Sequence, residues 1–269
     1  MKLRLAFIAG LTLLFCPVAQ AADNKLVLTG SSTIAPLAAE IGKRFEERNP
    51  GVRVDVQSGG SSRGVADARS GLADIGMASR ALNADEADLK AFAIARDGVG
   101  VILHRDNPVH FLTDEQIVAI YTGKTTDWSA VGGKPGRITV VNKAEGRSTL
   151  ELFLAFFKLK NSDVKAQVVI GDNQQGIKTV AGNANAIGYV SIGAAEIEAA
   201  HGAPIKLLPM NGVAARIENV GNGAFPLARP LNLVTKAKPA GLSKTFIDFA
   251  RSKDVHDLIE AQFFVPVGP

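Results

Sequence analysis

Short apolar segments alternate with amphipathic ones along most of the chain. Residues 25–30 (KLVLTG) and 52–60 (VRVDVQSGG) have the composition and alternation of β-strands, and residues 34–49 between them have the apolar spacing of a helix. The pattern predicts further strands at 73–79, 97–109, 136–143, 166–171, 186–193 and 228–236. It predicts further helices at 63–71, 84–92, 113–123, 144–159 (after a turn), 174–183 and 243–262. This order of elements predicts an α/β fold in which βαβ units surround mostly parallel sheets.

The order of elements also predicts two lobes that are not sequential in the chain. No repeat, low-complexity stretch or linker divides the sequence into consecutive domains. We expect a first lobe from residues 23–106 and 229–269, and a second lobe from residues 107–228. Two crossings between lobes would form a hinge, and the cleft between the lobes is then the natural ligand site.

The first residues have the pattern of a secretory signal peptide. Lys2 and Arg4 precede an apolar run, and Ala19-Gln20-Ala21 supplies small residues for cleavage. The apolar run is too short to be a convincing membrane span. We predict that residues 1–21 are removed on export to the periplasm, together with Cys16, the only cysteine. A cysteine-free mature chain excludes a disulfide framework and a thiolate metal site.

The charge of the mature chain argues against nucleic acid as a partner. Loss of Lys2 and Arg4 reduces the excess of basic over acidic residues from four to two. No run of five or more like charges suggests a basic arm. Four scattered histidines show no ligand pair, so the sequence predicts neither a metal site nor a cofactor.

Three helix starts share one design, in which a strand leads through glycine and hydroxyl residues into a helix. They are Gly30-Ser31-Ser32-Thr33, Gly59-Gly60-Ser61-Ser62-Arg63 and Glu145-Gly146-Arg147-Ser148-Thr149. Backbone N–H groups and the positive end of the helix dipole attract anions at such a start, and hydroxyls add donors that can rotate. A single Ser or Thr there is most simply a helix cap. Three at the carboxyl ends of strands favour a site for a tetrahedral oxyanion.

Cationic residues lie in or beside these turns. Arg147 stands among the expected N–H donors, so we expect it to contact the anion directly, and Arg80 and Lys143 are further candidates. Arg63 is at least as well explained as a solvated surface charge. A charge-assisted hydrogen bond contributes about 1.5–3 kcal/mol, so a few such residues support micromolar or tighter binding.

Several motifs resemble those of the periplasmic phosphate-binding proteins of ABC transporters, across nearly the whole mature chain. They are GSSTIAP, SGGSSRGV, ADIGMASRAL, IYTGKTTDW, VVNKAEGRSTL and NANAIGYV. The resemblance implies the two-lobed type II (Venus-flytrap) binding-protein fold, a two-strand hinge, and an inner-membrane permease as partner. It also implies a role for Thr33 with the Ile34 backbone in the first turn, for Ser61 in the second, and for Ser148 and Thr149 in the third. Lys143 falls where that family often has an arginine that steers the ligand.

Two positions depart from the family pattern. Some members have an Asp after the Ala-Ser of the third motif, where it accepts the proton of hydrogen phosphate and repels sulfate; here the residue is Arg80. Discrimination against sulfate is then in doubt unless Glu145 or a backbone carbonyl accepts that proton. GRST also replaces the more usual GSGT, which puts Arg147 where a serine is expected and predicts a more cationic pocket.

One enzymatic alternative competes with anion binding. Gly60-Ser61-Ser62-Arg63-Gly64 satisfies the G-x-S-x-G pattern of a hydrolase nucleophile elbow, between a strand and a helix. The histidines at 104, 110, 201 and 256 lie in no motif that would position a base. The sequence therefore favours a non-catalytic role for this loop as an anion cradle, with a secreted serine hydrolase as the weaker hypothesis.

The hypothesis that the sequence favours is a monomeric periplasmic binding protein that captures inorganic phosphate and delivers it to a permease. The expected ligand contacts are Ser32, Thr33, Ile34, Ser61, Ser62, Arg80, Lys143, Arg147, Ser148 and Thr149. Sulfate, molybdate or tungstate as ligand, and a phosphate-sensing role, are open alternatives.

Overall fold

The computed structural model describes residues 24–267 of the chain. The predicted signal peptide (1–21), with Cys16, lies outside the described residues. The strands are β1 (Lys25–Gly30), β2 (Arg53–Ser58), β3 (Ile75–Ala78), β4 (Lys90–His104), β5 (Thr139–Lys143), β6 (Val168–Ile170), β7 (Ala186–Ser191), β8 (Ile205–Leu207), β9 (Ala228–Thr235) and β10 (Val265–Pro266). The helices are α1 (Ala35–Arg48), α2 (Ser61–Ser70), α3 (Asp114–Tyr121), α4 (Ser148–Phe156), α5 (Asn173–Ala181), α6 (Ile192–Ala200), α7 (Ile217–Gly221), α8 (Gly241–Ala250) and α9 (His256–Ala261).

The strands form one curled sheet with the order β2-β1-β3-β9-β4-β7-β5-β6, and β8 and β10 also pair with β4. β1 is parallel to β2 and β3, and β5 is parallel to β6 and β7. The long strands β4 and β9 are antiparallel to each other and connect these two parallel groups. The mixed α/β fold with a two-strand connection confirms the predicted fold class.

The two largest hydrophobic cores of the described residues lie on opposite sides of this connection. The first packs β1, β3, α1, α8 and α9, and the second packs the inner faces of α3, α4, β5 and β7. β4 contributes Ala95 to the first core and Val99 to the second, so the change of core lies within the strand and not at its end. Asp97 of β4 pairs in register with Arg229 of β9 at the level of this change. We call the elements around the first core the first lobe and those around the second core the second lobe.

Two predicted helices are wrong in extent. Residues 84–92 form only a 3-10 turn at Ala84–Glu86, and β4 begins at Lys90. Asn83 caps the start of this turn, since its N–H donates to the Glu86 carboxylate, and that carboxylate also binds Arg80. The predicted helix at 243–262 is divided into α8 and α9, because Ser252 caps a separate 3-10 turn that buries Val255. The structure also contains α6 and α7, which the apolar pattern did not predict.

Candidate anion-binding site

The three hydroxyl-rich turns converge on one small cavity between the lobes. Two turns come from the first lobe, ahead of α1 and α2, and the third comes from the second lobe, ahead of α4. The cavity is small, with a volume of about 10 Å³ for the centre of a water-sized sphere, and is lined by Ser31, Ser32, Thr33, Gly60, Ser61, Ser79, Lys143, Arg147, Ser148 and Thr149. No aspartate or glutamate occurs among these described lining residues. The lining is therefore made of hydroxyls, backbone N–H groups and cations.

Two glycines allow the backbones of these turns to approach closely. Gly30 has a φ of +133°, and a Cβ there would lie 2.3 Å from the carbonyl oxygen of Met77. Gly60 has a φ of +99°, and its Cβ would lie 2.5 Å from the carbonyl oxygen of Gly146 in the other lobe. Any larger residue at either position would both strain the backbone and push the turns apart.

Helix capping does not account for the hydroxyls of the three turns. α3, α5 and α6 begin with ordinary side-chain caps from Thr113, Asp172 and Ser191. α1, α2 and α4 have no side-chain cap hydrogen bond. Some first-turn N–H groups of α1 and α2 are already used, since Ala35 donates to the Ser31 carbonyl and Ser62 to the Gly146 carbonyl. The remaining N–H groups and the positive ends of the three dipoles are available to an anion. Ser31 alone among these hydroxyls acts in a cap-like way within the described turns, since its Oγ accepts from the N–H groups of Thr33 (3.2 Å) and Ile34 (3.4 Å).

The hydroxyls of the cavity form a network that crosses the cleft. Ser79 Oγ lies 2.9 Å from Ser31 Oγ and 2.6 Å from Ser148 Oγ, and Ser61 Oγ donates to Ser148 Oγ over 3.1 Å. Ser148 belongs to the second lobe and the other three serines to the first. Because each hydroxyl can donate or accept, the network can reorient toward an oxyanion in the same space.

Arg229 links this network to the connection between the lobes, and no sequence motif pointed to it. Its side chain is fully buried, and Asp97 accepts from its Nε (3.1 Å) and Nη2 (2.8 Å). The guanidinium also donates to Thr149 Oγ1 (3.0 Å), Thr33 Oγ1 (3.2 Å) and Ser79 Oγ (3.4 Å). One cation on β9 thus contacts hydroxyls from both lobes.

Two further cations line the cavity. Lys143 is buried, and its Nζ donates to Asn173 Oδ1 over 2.8 Å. Desolvation, followed by repulsion from Arg229, lowers the pKa of Lys143 to about 7. Arg147 is half-buried, and its Nε is a buried donor without a hydrogen-bond partner among the described residues. Such a donor is costly unless an acceptor is supplied, and an oxyanion in the cavity would supply one.

The structure brings together seven of the ten candidate contacts and leaves three outside the cavity. Ser32, Thr33, Ser61, Lys143, Arg147, Ser148 and Thr149 line it. The Ile34 N–H is directed to Ser31, and the Ser62 hydroxyl donates to Glu151 Oε1 (2.8 Å) rather than to a histidine. The Arg80 guanidinium is held by Glu86 over 2.7 and 2.8 Å, so it does not reach the cavity lining. The expectation that Arg80 contacts the anion does not fit this geometry.

The residues near the cavity that were not among the expected contacts are Ser31, which belongs to the first hydroxyl turn, and Ser79, Asp97, Asn173 and Arg229. Asp97 and Arg229 do carry a signal, because each is a charged residue at the edge of a long apolar strand. Ser79 belongs to the motif ADIGMASRAL, whereas Asn173 carries no signal, since isolated polar residues at helix starts are common.

Two classes of feature are absent from the part of the chain that the structure describes. Between residues 24 and 267 no helix has the length and apolar character needed to cross a membrane. The same residues contain no cluster of three or more His, Cys, Asp or Glu side chains arranged to hold a metal ion.

Comparison with known proteins identifies the family. A profile of the PBP superfamily domain matches residues 17–254. The chain belongs to the PBP superfamily. Its relatives include the "Phosphate-binding protein PstS" of Bacillus subtilis, with 27% identity over 91% of this chain and 82% of that protein. A PstS of Borreliella burgdorferi is 25% identical over 91% of both chains.

Solved structures place this PBP-superfamily protein beside phosphate transport receptors. A putative phosphate ABC transporter substrate-binding protein from Clostridium perfringens, solved with bound phosphate, superposes with a TM-score of 0.83 and 33% identity, covering 90% of this chain and 99% of that one. An ABC-type phosphate transport receptor from Vibrio cholerae gives a TM-score of 0.75 at 27% identity, covering 90% and 100%. The resemblance that the sequence motifs indicate is confirmed at the level of the family.

Proposed function

We propose that this protein binds inorganic phosphate between its two lobes as the substrate-binding component of an ABC transporter. The observation that carries the proposal is the convergence of three uncapped helix starts from both lobes on one cavity with three cations in or beside it. The phosphate-bound relative from Clostridium perfringens, which shares the fold at 33% identity, supports the choice of ligand.

The arrangement suits a multiply charged tetrahedral anion. Arg147 offers an unpartnered donor, Arg229 offers N–H groups now shared with hydroxyls, and Lys143 offers an ammonium group. Charge-assisted hydrogen bonds contribute about 1.5–3 kcal/mol each, and the helix dipoles add to them. Together these interactions are sufficient for a dissociation constant of about 1 μM, which corresponds to roughly −8 kcal/mol.

Binding would couple to closure of the cleft, because the ligand contacts are divided between lobes. Thr33 and Ser61 belong to the first lobe, and Ser148 and Thr149 to the second. An anion that contacts both sets stabilises the closed state by its differential affinity for it. Capture and release need no chemical step, in keeping with relatives that are named as binding proteins.

The lobe boundaries, the cellular location and the partner follow from the same proposal. The hinge would lie where Asp97 and Arg229 pair, so the first lobe would end near residue 97, before the expected boundary at 106, and would resume near residue 229. The protein would be exported to the periplasm by residues 1–21, act as a monomer, and meet an inner-membrane permease on the surface formed by closure. Relatives named PstS support the transport role.

Calorimetric titration tests the ligand. The protein is unfolded and refolded to remove any co-purified anion and is then titrated with phosphate. We expect one site per chain with a dissociation constant of about 1 μM or lower. Nitrate, a planar monoanion, is the matched control and gives no heat of binding. A protein that refolds to its original melting temperature and shows no heat with phosphate contradicts the proposal.

A further inference from the structure

The side chain of Glu151 makes contacts across the cleft, just outside the anion cavity. It lies in the first turn of α4, in the second lobe. Its Oε1 accepts from Ser62 Oγ over 2.8 Å, and its Oε2 lies 2.7 Å from Arg80 Nε. Ser62 and Arg80 belong to the first lobe, and a third contact between the lobes, from Ser62 N–H to the Gly146 carbonyl (3.2 Å), lies beside them. None of these four residues is part of the cavity lining.

Residues of the first lobe fix the position of Arg80 for this contact. Glu86 binds its guanidinium with two hydrogen bonds of 2.7 and 2.8 Å, and Asn232 donates to its carbonyl oxygen over 2.7 Å. The hydrogen bond to Glu86, reinforced by the charge of Glu151, raises the pKa of Arg80 further above its usual value. The guanidinium is therefore a fixed, permanently charged point on the face of the first lobe.

The contact can break without leaving a buried charge unpaired. If the lobes separate, Arg80 keeps Glu86, so the large cost of an isolated buried ion does not arise. Glu151 has 35% of its side chain exposed, and water can hydrate it when Arg80 withdraws. An ion pair of this kind favours closure moderately and still permits opening.

We propose that Glu151 stabilises the closed arrangement of the two lobes independently of the anion, through its contacts with Ser62 and Arg80, and so determines the fraction of molecules that are closed. The inference rests on the proposed function only for its effect on affinity. The apparent affinity of an anion for the closed state scales with the fraction of molecules already closed. Arg80 and Ser62, expected from sequence to touch the ligand, thus act on binding through Glu151.

The charge of Glu151 also has an effect on anion binding that is opposite to stabilisation of the closed state. Glu151 is a carboxylate near a site for an anion, so its charge also repels the ligand. If repulsion dominated, removal of the charge would tighten binding. If stabilisation of the closed state dominates, removal of the charge weakens phosphate binding and opens the protein. The sign of the change therefore decides between the two effects.

The experiment uses spin labels at Lys43→Cys on α1 and Lys124→Cys after α3, exposed sites in the two lobes. The distance distribution is measured without anion and with phosphate, for the wild-type background, Glu151→Gln and Ser62→Ala. Glu115→Gln is the matched control, because Glu115 is an exposed first-turn glutamate of α3. Titration calorimetry of the same proteins gives the phosphate dissociation constants.

We expect Glu151→Gln to lengthen the distances without anion and to raise the dissociation constant about two- to fivefold, the range for a partly exposed ion pair. Ser62→Ala shifts both quantities in the same direction by less, and Glu115→Gln leaves both unchanged. Unchanged distances in Glu151→Gln, or tighter phosphate binding, overturn the proposal. If the wild-type protein binds no phosphate while Glu151→Gln still lengthens the distances between the labels, the proposed ligand is wrong. The role of Glu151 in stabilising the closed arrangement is then still supported.

Discussion

Arg80 and Arg229 are both buried arginines at the edge of the cleft, yet they have different environments. Arg229 pairs with one carboxylate, Asp97, and directs its remaining N–H groups to three hydroxyls of the anion cavity. Arg80 is hydrogen-bonded to Glu86 and to the Ala81 carbonyl, and its Nε forms an ion pair with Glu151 over 2.7 Å without hydrogen-bond geometry. Burial of a cation is therefore a poor guide to anion binding. What matters is whether the donors that the neighbouring carboxylates leave free face the cavity, as those of Arg229 do.

The largest expected effect comes from truncating each arginine to alanine. Arg229→Ala and Arg80→Ala each leave a buried carboxylate unpaired, so both lower the free energy of unfolding by about 3–5 kcal/mol. Only Arg229→Ala removes donors from the cavity, and we expect it to weaken phosphate binding by more than about a hundredfold, against less than about tenfold for Arg80→Ala. Thermal unfolding and calorimetry on both variants measure the two quantities.

Arg229→Lys and Arg80→Lys repeat this comparison with the positive charge retained, in case an alanine variant fails to fold. Equal losses of phosphate affinity in the two lysine variants would show that the environments of the arginines do not differ in the way described.

A smaller effect is expected for Arg147, which has no carboxylate partner among the described residues. Arg147→Ala removes the unpartnered buried donor at the third turn, and we expect the phosphate dissociation constant to rise at least about tenfold. The matched control is Arg63→Ala, because Arg63 follows the second turn but is exposed and paired with Asp67. Calorimetry on the two variants checks the prediction; an unchanged dissociation constant in Arg147→Ala removes this residue from the site.

The lowered pKa of Lys143 predicts that phosphate affinity depends on pH, an effect to which the arginines do not contribute. Its pKa is lowered to about 7 in the protein without anion, and a bound anion raises it by favouring the charged form. Binding above pH 7 then takes up a proton, so affinity falls as pH rises, by at most about tenfold per pH unit. Lys143→Arg stays charged and abolishes this part of the profile. Titrations at about pH 6 to 9 compare the two proteins, since the ionisation of phosphate itself affects both alike.

The lowered pKa of Lys143 makes the stability of the ligand-free protein change with pH in the opposite direction to the phosphate affinity. The folded pKa of Lys143 lies below that of the unfolded chain, so the unfolded state binds more protons between about pH 7 and 10.5. Stability from this group alone therefore increases with pH over that window. Melting temperatures of wild type and Lys143→Arg, compared across the window without anion, separate this contribution; a difference that does not vary with pH contradicts the assignment.

The smallest expected effect concerns selectivity. The resemblance of the sequence motifs implies that Arg80 stands where some family members have an aspartate, and the described cavity lining contains no carboxylate that would repel sulfate. Glu145, considered as a substitute acceptor, is exposed and accepts from Asn161. We expect sulfate to compete with phosphate, with a dissociation constant within about tenfold of it. Strict exclusion of sulfate in a competition titration would mean that a hydroxyl or a backbone carbonyl accepts the proton of phosphate.

Most strands and helices were predictable because their apolar periods are regular and their starts carry local signals. Thr113 illustrates this, since its capping box with Gln116 was predicted from spacing and is present. The failures lie where a tertiary contact overrides a local pattern. Residues 84–92 have helical composition, but Glu86 binds Arg80 and the following residues join β4 beside β9.

The candidate site was predictable in the same uneven way. Its hydroxyl turns are contiguous in sequence, so their anion-binding character could be inferred from local sequence alone. Arg229 could not be assigned to the site, because it follows Thr33 and Thr149 by long stretches of chain. Only the pairing of β9 with β4 brings its guanidinium beside Asp97 and those hydroxyls.

Local composition was thus sufficient to indicate the α/β class, the hydroxyl turns and an anionic ligand, because each depends on residues that are neighbours in the chain. The partners of the charged residues were decided by the tertiary structure, because a guanidinium is neutralised by whichever carboxylate the fold places within about 3 Å. That placement puts Arg229 against the cavity hydroxyls and keeps Arg80 outside them, facing Glu151.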